Sequence, residues 1–121
     1  MKFSVSNNGN MTIAGTLTQN SDLRLKSDIQ PLEDSLAKVI KLRGVSYIMK
    51  ADEAKDRKIG VIAQELEQEY PELVSTNGEG LKSVAYANLT AVLIEAVKGL
   101  KAENDALKSR LEKLEQLLIS K

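Results

Sequence analysis

From Asn88 onward the chain has no proline and one glycine, Gly99, and its apolar residues step alternately by four and by three. Leu93, Val97, Leu100, Asn104, Leu107, Leu111, Leu114 and Leu118 form this series. It is a heptad seam, with Val97, Asn104, Leu111 and Leu118 at a and Leu93, Leu100, Leu107 and Leu114 at d. A helix packed inside its own domain carries a wider apolar face. That alternative accounts for Leu89–Leu100 but not for residues 101–121, so the tail is expected to be a coiled coil. In this register Glu103 at g would face Lys108 at e of a neighbouring helix, and Arg110 would face Glu115. Both pairs are of opposite sign, as a parallel, in-register assembly requires. The number of strands stays open: a buried Asn at a can select a dimer, whereas Leu at a weakens a clean dimer pattern.

At 121 residues the chain is one modest domain. Its 17 basic and 17 acidic residues cancel, which argues against a nucleic-acid or anionic-membrane partner. Aromatics make up 3%, too few for a base-stacking surface. With no cysteine and no histidine, disulfides, thiolate nucleophiles, Ser-His-Asp triads and Cys/His zinc sites are excluded. Met1-Lys2-Phe3 is not followed by a signal-type apolar stretch, and no apolar run approaches membrane-spanning length. The expectation is no metal, no cofactor, no membrane and no small-molecule substrate. The sequons at Asn10 and Asn88 read as chance.

Residues 1–20 alternate loosely, with Phe3, Val5, Met11, Ile13 and Leu17 apolar and Asn8-Gly9-Asn10 a turn signal, so two short strands are expected. So few apolar residues cannot form a core alone. The segment reads as the end of a β-rich stem wound from several chains rather than a floppy tail. Asp28–Pro31 reads as a helix start, followed by a stripe of Leu32, Leu36, Val39 and Ile40 that Gly44 ends. Val45–Lys50 and Ile59–Ile62 read as strands around a charged loop. Ala63–Tyr70 reads as a helix stopped by Pro71. Leu73–Thr76 and Leu81–Tyr86 flank the hairpin signal Asn77-Gly78-Glu79-Gly80. Ile62, Ala63, Leu66, Leu73 and Val74 are expected in the core. Gln64, Glu65 and Glu67 read as solvated or capping residues, not as an acid/base pair or a metal site.

Without His or Cys, the remaining nucleophile is Ser or Thr activated by Lys. The run Ser21-Asp22-Leu23-Arg24-Leu25-Lys26, with Ile59–Val74 and Val84–Leu100 in that order, resembles the intramolecular chaperone (peptidase S74) domain of phage tail fibres and tailspikes. The likeness runs from about Ser21 to the end. It implies trimeric fibres and autocleavage by a serine–lysine dyad, here Ser21 and Lys26, with Asp22 and Arg24 matching the motif around it. At Ala85 the family often carries Asp or Asn, a departure that bears on cleavage efficiency rather than on fold.

Five residues along a helix is about 140° past a full turn, and along a strand it reverses the face. The dyad must therefore form across a turn, or between Ser21 of one chain and Lys26 of another. Free lysine, with a pKa of about 10.4, is a poor base at neutral pH, so burial or a nearby cation such as Arg24 must lower it. Neutral Lys26 would take the Ser21 hydroxyl proton, and Oγ would attack the Asn20 carbonyl. Attack on the carbonyl of Ser21 itself needs a four-membered ring, so the cut is expected at Asn20–Ser21, and attack from a neighbouring chain would shift it by one bond. Outside the resemblance, Ser21 reads as a turn or cap residue and Lys26 as a solvated charge.

The expected fold is α+β: short strands and helices packed against a long C-terminal helix forming a parallel trimeric coiled coil, preceded by a β-rich stem remnant. Residues 1–20 would end the stem and 21–121 form the chaperone, with 21–87 as head and 88–121 as long helix. The function that the resemblance implies is an intramolecular chaperone that trimerises and registers the upstream fibre stem, then releases itself by autoproteolysis. Its setting would be the host cytoplasm during phage assembly, as a tail fibre precursor. The alternative is a non-catalytic trimerisation knob that stays attached.

Overall fold

A computed structural model of the chain describes residues 2–120. It shows a mixed α/β chain of small strand pairs and one long C-terminal helix, divided into two units. One unit holds the residues up to Pro31 together with Ile48–Arg57. The other holds Leu32–Tyr47 and the residues from Lys58 onward.

In the first unit, β1 (Phe3–Val5) pairs antiparallel with β2 (Met11–Ile13), Ser4 lying opposite Thr12. The Asn-Gly signal does its work in the connecting loop. Gly9 sits at φ +87°, its N–H donates to the Ser6 carbonyl at 2.9 Å, and the Asn8 carboxamide oxygen accepts from the Asn10 N–H and the Ser6 hydroxyl. Yet no described residue of this unit is buried, and Phe3, Val5 and Met11 all lie open to solvent.

All of the core lies in the second unit. Its short first helix α1 (Ser35–Val39) corrects the longer helix expected from Asp28–Pro31 onward. Asp28 and Asp34 both take left-handed conformations, at φ +51° and +60°, which interrupt any helix before Ser35. Pro31 disfavours helical geometry at Gln30 as well. Of the expected stripe, Leu36 and Val39 pack inward, while Ile40 is 73% exposed and Leu32 lies outside the helix.

β3 (Val45–Ile48) and β4 (Arg57–Gly60) form a two-stranded sheet. α2 (Ala63–Glu69) follows, and Pro71 opens a 3-10 turn through Leu73. β5 (Val74–Thr76) then pairs antiparallel with β6 (Lys82–Val84), Val74 opposite Val84. The Asn77 side-chain oxygen holds their loop by accepting from the Glu79 and Leu81 N–H groups at 2.9 and 3.0 Å. A 3-10 turn at Tyr86–Asn88 leads into α3 (Leu89–Ile119), 31 residues long.

Leu66, Tyr70, Leu73, Val92 and Ala96 are the buried residues of the core, with Val39, Leu42, Val61, Val74, Val84 and Leu89 packed against it. Leu66 and Leu73 were legible as core, whereas Ile62 and Ala63 are only half-buried. α1 lies along the first turns of α3, where a Cβ at Gly99 would stand 3.2 Å from the Leu36 Cβ. Gly60 permits a second close approach. The Tyr86 hydroxyl accepts from the Val61 N–H at 3.0 Å and occupies the place that a side chain at residue 60 would need.

Gly60→Ala should therefore cost about 1–3 kcal/mol through overpacking. Tyr86→Phe should cost about 1 kcal/mol through the lost hydrogen bond. Because both act on one hydroxyl, the double variant should be more stable than the sum of the two losses. Denaturant unfolding of the four proteins measures this, and strict additivity would refute the contact.

Candidate functional site

Residues 14–34 run exposed throughout, and the one tight feature in that stretch is a 3-10 turn at Leu23–Leu25. Asp22 caps it. Its backbone is extended, and its carboxylate accepts from the Arg24 N–H at 2.8 Å. This is the ordinary reason why Asp precedes a helical turn. The Leu25 and Lys26 N–H groups close the turn onto the Asp22 and Leu23 carbonyls. Arg24 adds a fork, with Nε donating to one Asp22 oxygen at 3.1 Å and Nη2 to the other at 2.9 Å.

The turn brings the chain back on itself. Lys26 Nζ donates to Ser21 Oγ at 2.6 Å, within one chain. A regular helix or strand would have separated them, so of the two routes open to the sequence, this geometry follows the one across a turn. Ser21, Lys26 and the neighbouring Asn20 are all exposed. Arg24 is 88% exposed and its guanidinium is engaged by Asp22. The fork from Arg24, and secondly its backbone N–H, hold the Asp22 carboxyl below its ordinary range. The Arg24 guanidinium is raised in turn by the same hydrogen bonds to Asp22. The 3-10 turn and its cap were missed in the sequence, although Asp22, a preferred cap residue two positions before Arg24, was the available signal.

The carboxylates of α2 are occupied structurally. Arg43 forks onto Glu65 at 3.0 and 2.9 Å, and Lys82 Nζ meets Glu67 at 3.0 Å. The Arg43 hydrogen bonds hold the Glu65 carboxyl below its usual range. Among the described residues no group of three or more Asp or Glu side chains could hold a metal ion, and no helix is long and apolar enough to cross a membrane.

α3 presents two different faces. Val92 and Ala96 are buried in the unit's own core, with Gly99 against Leu36. The seam residues Leu93, Val97, Leu100, Leu107, Leu111, Leu114 and Leu118 are 51–71% exposed, and Asn104 between them is exposed as well. An amphipathic helix that serves only its own domain would have buried Leu93, Val97 and Leu100.

A family model described as chaperone of endosialidase (Peptidase_S74) matches residues 21–75. The long tail fiber protein Gp37 of Enterobacteria phage K3 is 40% identical over 99 residues, covering 75% of this chain and 8% of that protein. Gp37 of Enterobacteria phage M1 is 36% identical over 100 residues, covering 75% of this chain and 39% of the relative. Gp37 of Salmonella phage S16 is 28% identical over 130 residues, covering 94% of this chain and 17% of the relative. The chain thus spans less than half the length of each of these relatives.

The Asp22–Arg24 fork makes a pH-dependent turn. A carboxyl whose folded pKa is depressed adds stability that is present above its unfolded pKa and is lost as pH falls through the folded value. In an NMR carboxyl titration, Asp22 should titrate below the ordinary carboxylate range, and Arg24→Gln should raise its midpoint toward that range. An unchanged midpoint in the variant would remove the fork as the cause.

Proposed function

Because residues 21–75 of this chain belong to the chaperone-of-endosialidase family, we propose that the chain is the assembly-helper segment of a longer phage tail fibre protein. It gathers three copies of itself through the α3 seam and brings the β-rich residues 1–20 into register. It then separates from them by cleavage at Asn20–Ser21, with Ser21 as nucleophile and Lys26 as base. The fibre stem upstream is its partner, and assembly takes place inside the host cell. The observation that carries the cleavage is the 2.6 Å contact between Lys26 Nζ and Ser21 Oγ, inside the family-matched region and directly after the proposed scissile bond.

The chemistry balances without a cofactor. Neutral Lys26 accepts the Ser21 hydroxyl proton as Oγ attacks the Asn20 carbonyl carbon. The tetrahedral adduct collapses with loss of the Ser21 amide nitrogen, which takes the proton back from Lys26. The product is an ester between Asn20 and Ser21 Oγ with a free Ser21 amine. Water then hydrolyses the ester, leaving a carboxylate on Asn20 and restoring the serine. In the single chain Nζ donates to Oγ. The reaction needs a neutral amine there, and burial disfavours the charged form of a lysine. Leu23, Leu25 and Ile29, each at least 62% exposed on the same stretch, offer the apolar surface through which neighbouring copies would supply that burial.

Intact mass under denaturing conditions tests the reading. The wild-type chain should separate into residues 1–20 and 21–121, Ser21→Ala should remain whole, and Lys26→Ala should cleave at least about a hundredfold more slowly. A wild-type chain that forms its oligomer and stays whole would leave an attached trimerisation knob instead.

The contact lies within one chain, so co-assembled Ser21→Ala and Lys26→Ala chains should not cleave. Appearance of the 1–20 fragment from such mixed oligomers would place the reaction between chains.

A further inference from the structure

The outward seam of α3 is apolar at every a and d position from Leu93 to Leu118 except one, Asn104. Its carboxamide is exposed and has no hydrogen-bond partner among the described residues, while the neighbouring seam residues Leu100, Leu107 and Leu111 are more than half exposed. Every residue from Lys101 to Ser120 is exposed, and the last buried residue of α3 is Ala96. Asn104 therefore stands near the level where α3 leaves its own unit and has only a partner to meet.

A second copy of this chain is the occupant that the flanking charges fit. In a parallel, in-register pair Glu103 meets the neighbouring copy's Lys108, and Arg110 meets its Glu115. The apolar layers cannot enforce that alignment, because a slip of one heptad again places Leu or Val opposite Leu or Val. The charges enforce it weakly. A slip of one heptad in either direction sets Arg110 of one copy against Lys108 of the other and Glu103 against Glu115, but exposed rim pairs contribute little. Asn104 is different. After a slip it faces Leu111 or Val97, and a carboxamide is buried with donors and acceptor unmatched, whereas in register it meets its own copies and is satisfied.

We propose that Asn104 is the residue that aligns the copies of this chain, at a cost in the stability of the assembly. This rests on the reading that α3 is a self-assembly seam, and it adds the residue that sets register.

The chain has no cysteine, which makes the test direct. Leu111→Cys and Leu118→Cys versions of the full chain are mixed and equilibrated in a glutathione redox buffer. In-register chains form only 111–111 and 118–118 disulfides, since Cα atoms one heptad apart lie beyond disulfide reach. A slipped assembly forms the 111–118 disulfide. With Asn104 in place that mixed species should be scarce. In an Asn104→Leu background it should increase by about tenfold while the melting midpoint rises. A mixed fraction unchanged by Asn104→Leu overturns the proposal and assigns register to another part of the chain. Monomeric chains with no interchain disulfide in either background overturn the self-assembly reading, and this inference with it.

Discussion

Leu36 resting against Gly99 decides which face of α3 is left free. A helix turns about 100° per residue, so the stripe buried in the unit and the stripe beside it cannot exchange roles without rolling the helix. Val92 and Ala96 go inward, and Leu93, Val97 and Leu100 are thereby turned outward. A Cβ at Gly99 would stand 3.2 Å from the Leu36 Cβ, so the two helices would have to give by a few tenths of an ångström to admit it. The packing of α1 against α3 and the exposure of Leu93, Val97 and Leu100 are thus two sides of one arrangement.

The other exposed surface has a different origin. The unit that contains β1 and β2 satisfies its backbone through a hairpin and a capped loop, but buries no side chain among its described residues. Hydrogen bonds exchanged with water contribute little net stability, and a lone two-stranded hairpin is marginal. Chains of this kind acquire a core by association. On the proposed reading α3 raises the local concentration of neighbouring hairpins, so that thin strands meet in register instead of searching for one another.

What the sequence made legible follows from which forces are local. The long α3 helix and the two Asn-Gly loops are written in short-range patterns, and both are present in the structure. The length of α1 was not, because left-handed backbone at Asp28 and Asp34 is permitted by aspartate but not announced by it. Nor was the Gly60–Tyr86 contact, which joins residues 25 or more positions apart. Ser21 and Lys26 could be singled out only by resemblance. Their spacing argues against contact in any regular element, and the 3-10 turn that brings them together depends on a local cap at Asp22 that no periodicity announces.

That turn also bears on how such a site would be controlled. Every interaction that shapes it is local: the Asp22 cap, the Arg24 fork, and the closing bonds of Leu25 and Lys26. None depends on a neighbouring chain, so the serine and the lysine can meet before any assembly begins. What an isolated chain lacks is cover, since both side chains stand in water. On the proposed reading the geometry is available early, while the neutral amine that the chemistry would need depends on desolvation. If Ser21 and Lys26 act as proposed, the step that commits the chain to cleavage is the burial of Leu23, Leu25 and Ile29 by other copies, not the formation of the pair. A folding helper gains from that order, because a pair that is assembled early and activated late cannot cut before the strands it serves are in place.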